Sequence, residues 1–85
     1  MELLVLSKKD LEKVLTMRDT IDAVQEAFKG LALGEVEMPM PYIIDVRKHN
    51  GVWGVKSALI NNLDVVGVKL SSGYFENPMK YNLPS

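Results

Sequence analysis

Lys69 is the one charge between Val65 and Gly73, where Val66, Val68 and Leu70 alternate with Gly67, Lys69 and Ser71. On a strand, this alternation puts the lysine on the smaller, more polar face. An ammonium fixed on a rigid strand can hold a substrate carboxylate as a point charge. Gly67 and Gly73 would let a ligand come close to the backbone. The same lysine could equally guard an edge strand against mispairing, and on spacing alone that plainer role leads. Lys56, on the preceding strand, invites both readings, and Arg47 the plainer one. His49, beside Asn50-Gly51, reads as a solvated turn residue.

Other chemistry is thin. The chain has no Cys and one His, so disulfides, thiolate metal sites and His-cluster metal sites are excluded. There is no Gly-x-Gly-x-x-Gly turn, phosphate loop, His-Glu metal pair or nucleophile elbow. The 10 basic and 11 acidic residues give a net charge of −1, with no basic cluster to engage nucleic acid. No apolar run approaches the ~20 residues of a membrane span, and the start is acidic and short rather than signal-like. With no Cys and no signal, a cytoplasmic protein is expected.

The elements that must position Lys56 and Lys69 follow from the pattern. Leu3 to Leu6 is an apolar run expected to form a short buried strand. Ser7-Lys8-Lys9-Asp10 has the form of a helix cap, and Leu11, Val14 and Leu15 share a face behind it. A second helix starts near Thr16 or Met17, carries Ile21, Val24, Ala27, Phe28 and Leu31 on one face, and stops at Gly34. Met38-Pro39-Met40-Pro41 is extended. Tyr42 to Lys48 and Val52 to Leu59 read as strands joined at Asn50-Gly51. Asn61-Asn62 makes another turn, Val65 to Tyr74 is a third strand of this group, and Glu76 to Asn82 is a loop. The order is β-α-α-β-β-β: an α+β fold, with the helical pair packed on a mostly antiparallel sheet. Its 85 residues make a single domain, with no Rossmann domain present.

Two long stretches, LSKKDLEKVLTMRDTIDAVQEAFKGLALGEVEMP and GVKLSSGYFENPMKYNLPS, carry a resemblance. Within them lie the helix Met17 to Phe28, the Gly67-Val68-Lys69 strand, and the loop Asn77-Pro78-Met79-Lys80-Tyr81-Asn82-Leu83-Pro84. From about Leu4 to Ser85 the chain resembles the N-terminal part of the ornithine cyclodeaminase/μ-crystallin family, which includes alanine dehydrogenases and cyclic ketimine reductases. The resemblance implies a substrate-binding and dimer-forming domain of an NAD(P)-dependent enzyme acting on a small 2-amino or 2-keto acid. It implies that Lys69, matching the lysine of the family's strand, contacts the substrate carboxylate.

The chain departs from the family pattern in three places. Family members show Met-Pro-Pro and then Arg or Lys, a residue that also grips the carboxylate. Here Met38-Pro39-Met40-Pro41 is followed by Tyr42. The family's Met-Pro-Ala after the hairpin is replaced by Lys56-Ser57-Ala58, and Lys56 is a candidate source of the missing charge. The family pattern also continues past Leu83-Pro84-Ser85 into a strand, a substrate-binding arginine, the Gly-rich cofactor turn and a catalytic aspartate. These 85 residues are therefore expected to be the truncated front of such an enzyme, inactive alone and assembled as a homodimer or larger oligomer. The alternative is a free-standing, non-catalytic module that binds a small carboxylate or serves only in protein-protein interaction.

Overall fold

A computed structural model describes residues 1–85. Helix α1 spans Lys8–Val14 and α2 spans Met17–Ala32. Each starts with a full capping box. The Ser7 hydroxyl accepts from the Asp10 amide at 3.1 Å, and the Asp10 carboxylate accepts from the Ser7 amide at 2.9 Å. Thr16 and Asp19 repeat the arrangement at 3.1 and 3.2 Å. The hydrogen bonds hold the Asp10 carboxyl below the usual carboxylate range, the Ser7 backbone bond contributing most.

Helix α2 ends in a Schellman motif. The Glu35 amide donates to the Gly30 carbonyl at 2.8 Å and the Gly34 amide to the Leu31 carbonyl at 3.2 Å. Gly34 supplies the left-handed residue this closure needs, at φ 76°.

The sheet has four antiparallel strands: β1 (Val36–Glu37), β2 (Tyr42–Val46), β3 (Gly51–Ile60) and β4 (Val65–Tyr74). All ten residues of β3 pair with β4, from Gly51↔Tyr74 to Ile60↔Val65. That occupies one edge of β3, so β1 and β2 share its other edge, β2 along Gly51 to Val55 and β1 at Leu59 and Ile60. A short helix α3 (Asn77–Tyr81) follows β4.

The α+β class holds, and four local expectations are corrected. Residues Met1 to Leu6 form no strand, and Leu3 is 87% exposed. A strand exists only by pairing with a neighbour, and this run meets no sheet edge in the structure. A two-residue strand, β1, lies instead between α2 and β2. The hairpin between β2 and β3 is not a two-residue Asn50-Gly51 turn. Arg47–His49 form a single 3₁₀ turn, Asn50 closes it in the left-handed region at φ 48°, and Gly51 already pairs with Val46. The β3–β4 connection repeats this form, with Asn61–Leu63 in a 3₁₀ turn and Asp64 left-handed at φ 53°. Finally, the expected loop at 76–82 contains α3. Pro78 lies in its first turn, where its missing N–H costs nothing. Glu76 and Lys80 clasp one turn apart at 2.9 Å, and that carboxylate raises the Lys80 pKa.

Strand alternation sorts the sheet into two faces. One carries Tyr42, Ile44, Trp53, Val55, Leu70 and Val68 and is covered by nothing in the chain. On it Val66, Val68 and Leu70 are 64–68% exposed. The Tyr74 ring lies over Gly51 on this face, and the Trp53 indole N–H donates to the Tyr74 hydroxyl at 2.9 Å. The other face carries Lys56, Ala58 and Ile60 beside Lys69, Gly67 and Val65. The apolar stripe of α2 meets this second face at its Ile60 end, and Gly30 of α2 is packed against the Asn62 side chain. Helix α1 keeps Leu11, Val14 and Leu15 exposed.

No large apolar side chain is buried; only Gly30 and Gly51 are. The accessible surface is 7804 Å², against about 5,000 Å² for a compact monomer of this mass. The radius of gyration is 16.6 Å, where a compact 85-residue chain would have about 12 Å. The apolar faces are formed but not closed into a core.

Candidate functional site

Lys56 and Lys69 are direct cross-strand partners on β3 and β4. Their side chains rise from the same face, with Cβ atoms roughly 5 Å apart in such a pair. Both are exposed, and neither ammonium makes a hydrogen bond or ion pair in the chain, whose ion pairs are Lys8–Glu12, Arg18–Asp22 and Glu76–Lys80. Two like charges set opposite one another destabilise a sheet by about 0.2–1 kcal/mol. An anion between them reverses that sign.

Above this pair is an open cleft of about 330 Å³, lined by Lys56, Lys69, Gly67, Ala58 and Met38 among others. A Cβ placed on Gly67 would meet no atom within 4 Å, so the space over the strand beside Lys69 is free. The β3–β4 ladder runs unbroken, without a bulge, through both strand glycines, Gly67 and Gly73. A second cleft, of about 250 Å³, runs along Met38 to Pro41 and is also bordered by Lys56 and Ser57. Lys56 thus stands between β4 and the proline-rich segment where the basic residue is lacking. A third cleft, of about 280 Å³ and wholly apolar, lies between α2 and the sheet, with Met38 and Ala58 in its wall.

Arg47 and His49 sit in the exposed β2–β3 turn, seven or more residues along the chain from Lys56, and line none of the clefts it borders. Sequence reasoning missed Met38, which borders all three clefts. Its position between β1 and β2, which share the edge of lysine-bearing β3, carries no local signal in the sequence.

The residues present do not fit a dinucleotide. The N-termini of α1 and α2, where a pyrophosphate would need free amides, are filled by the Asp10 and Asp19 carboxylates, and no glycine-rich turn opens either helix. No step through a nicotinamide is assigned to these residues.

Comparison with known proteins gives a consistent result. The chain matches Thermococcus litoralis Δ1-pyrroline-2-carboxylate reductase, solved in complex with NADH and L-proline, with a TM-score of 0.86 and 38% identity. The match covers 98% of this chain and 25% of that one. A provisionally named dehydrogenase of Rhizobium meliloti (strain 1021) is 35% identical over 82 residues, covering 95% of this chain and 25% of that protein. The alanine dehydrogenase of Archaeoglobus fulgidus is 28% identical over 80 residues, covering 94% and 24%. The chain therefore spans about a quarter of the length of the relatives it matches. The family model for the ornithine cyclodeaminase/mu-crystallin family matches residues 1–85, and the chain belongs to that family.

Proposed function

We propose that this chain supplies the substrate-carboxylate site and the subunit-contact surface of an NAD(P)-dependent enzyme acting on a small 2-amino, 2-imino or 2-keto acid. The observation that carries the reading is the Lys56–Lys69 pair, two unpartnered ammoniums facing one open cleft. A carboxylate has two oxygens, and each ammonium can donate to one. The T. litoralis relative, solved with NADH and L-proline, supports a small amino acid as ligand and a nicotinamide as its redox partner. Lys56 borders the Met38–Pro41 segment and takes the place of the basic residue the family pattern puts there.

The uncovered sheet face supports a homodimer. The chain exposes well over 2,000 Å² more than a compact monomer would, which exceeds the ~800 Å² a partner contributes to a standard interface. A further domain packing on α1 and Leu3 to Leu6 would use the remainder, and these 85 residues would then act as one domain of a longer, cytoplasmic enzyme.

The test is kinetic, on the complete gene product. Small 2-amino and 2-keto acids and cyclic imines are assayed for NAD(P)H-linked turnover, for wild type and Lys69→Met. The reading expects turnover, with KM for the acid raised at least tenfold in the variant and NAD(P)H affinity kept. An unchanged KM refutes the lysine's role. Binding of a small carboxylate with no turnover on any acid favours the non-catalytic module.

A further inference from the structure

We propose that the acid held by Lys56 and Lys69 carries an apolar side chain, which runs over Gly67 toward the groove beneath α2. The inference rests on the carboxylate reading of the two lysines and adds the class of substrate. On the sheet face that bears them, the next cross-strand pair is Ala58 with Gly67, and the next is Ile60 with Val65. Each step is roughly 7 Å along the strands. The face therefore runs from a cationic end, across a small-residue floor, to an apolar end covered by α2.

Three observations join these parts into one site. Met38 and Ala58 belong to the walls of both the lysine cleft and the apolar groove, so the two spaces adjoin. Gly67 leaves the floor between them open, with no atom within 4 Å of where its Cβ would be. The groove is lined by eight residues, all hydrophobic, with Val24 and Phe28 of α2 facing Ile60 of the sheet. No carboxylate lines either space. A side chain ending in an ammonium would lose its hydration there and find no partner among these residues. An alkyl side chain would gain from each methylene removed from water.

Norleucine and ornithine make the discriminating pair, since one ends in a methyl where the other ends in an ammonium. Binding of L-alanine, L-norvaline, L-norleucine and L-ornithine to the complete gene product is measured by calorimetry with NADH present. The proposal expects Kd to fall about fourfold per added methylene from alanine to norleucine. It expects ornithine to bind at least about tenfold more weakly than norleucine. Gly67→Val, whose Cβ meets no neighbour here, should weaken norleucine more than alanine and flatten the series, with its Tm as the check on folding. Equal Kd values along the series, or ornithine binding as tightly as norleucine, overturn the proposal. Lys69→Met separates the two readings. If it weakens all four ligands while the series is flat, the carboxylate site stands and the apolar side chain falls. If it changes none of them, both fall; if wild type binds none of them, the apolar side chain falls and the carboxylate site is judged by the keto and imino acids.

Discussion

Replacing Lys56 by Met should move binding and stability in opposite directions. Met keeps an unbranched stem of similar length and removes the charge. In the free protein, Lys56 faces Lys69 directly with no acid between them, so the substitution relieves a like-charge pair and stabilises the fold by about 0.2–1 kcal/mol. In the complex, it removes a charge-assisted hydrogen bond, worth about 1.5–3 kcal/mol in general. Lys56 is exposed, so solvent screening places the loss near the lower end, a roughly tenfold rise in Kd. The assay pairs calorimetric titration of the acid with urea unfolding of the free protein. A salt series adds a third reading: wild-type affinity should fall with ionic strength more steeply than that of the variant. An unchanged Kd, or a variant both weaker in binding and less stable, refutes the reasoning.

Three further outcomes concern the scaffold. Gly51→Ala sets a Cβ 2.5 Å from the Tyr74 ring, which the Trp53 hydrogen bond holds in place, and should cost about 1–3 kcal/mol in urea unfolding, while Gly67→Ala should be neutral or stabilising. Gly34→Ala forces a side chain into the left-handed region at φ 76° and should lose about 1 kcal/mol by the same measurement. The capping carboxylate of Asp10 has its pKa lowered on folding. Its contribution to α1 is thus present above pH about 4 and lost as pH falls through the lowered value; an NMR titration of the Asp10 carboxyl, followed beside the α1 amides, should show the two change together.

What the sequence made legible was local chemistry. Ser7 with Asp10, and Thr16 with Asp19, carry their own hydrogen-bond partners within four residues, so both helix starts can be read without the fold. Gly34 marks the end of α2 because few other residues take that φ. The bounds of β4 are clean because apolar alternation and flanking turn residues agree. What was illegible was pairing. Leu3 to Leu6 has strand composition, but composition does not supply an edge. Pro78 reads as a breaker, yet a first turn tolerates it.

The lysine pair shows the same limit more sharply. A two-residue turn at Asn61-Asn62 would set Lys56 opposite Gly67. The observed connection, a 3₁₀ turn closed by Asp64 in the left-handed region, moves the register so that Lys56 meets Lys69. Alternation alone puts Lys69 on the more polar face of its strand, but only the loop geometry makes Lys56 its neighbour. Met38 lies beyond sequence reasoning for a similar reason, since its importance comes from standing where three clefts meet.

The most direct test is a crystal structure of the complete gene product with L-norleucine and NADH bound. The account predicts the ligand carboxylate within hydrogen-bonding distance, about 2.7–3.2 Å, of the Nζ atoms of both Lys56 and Lys69, and the alkyl chain over Gly67. A carboxylate held elsewhere, with both ammoniums pointing to bulk water, would contradict it.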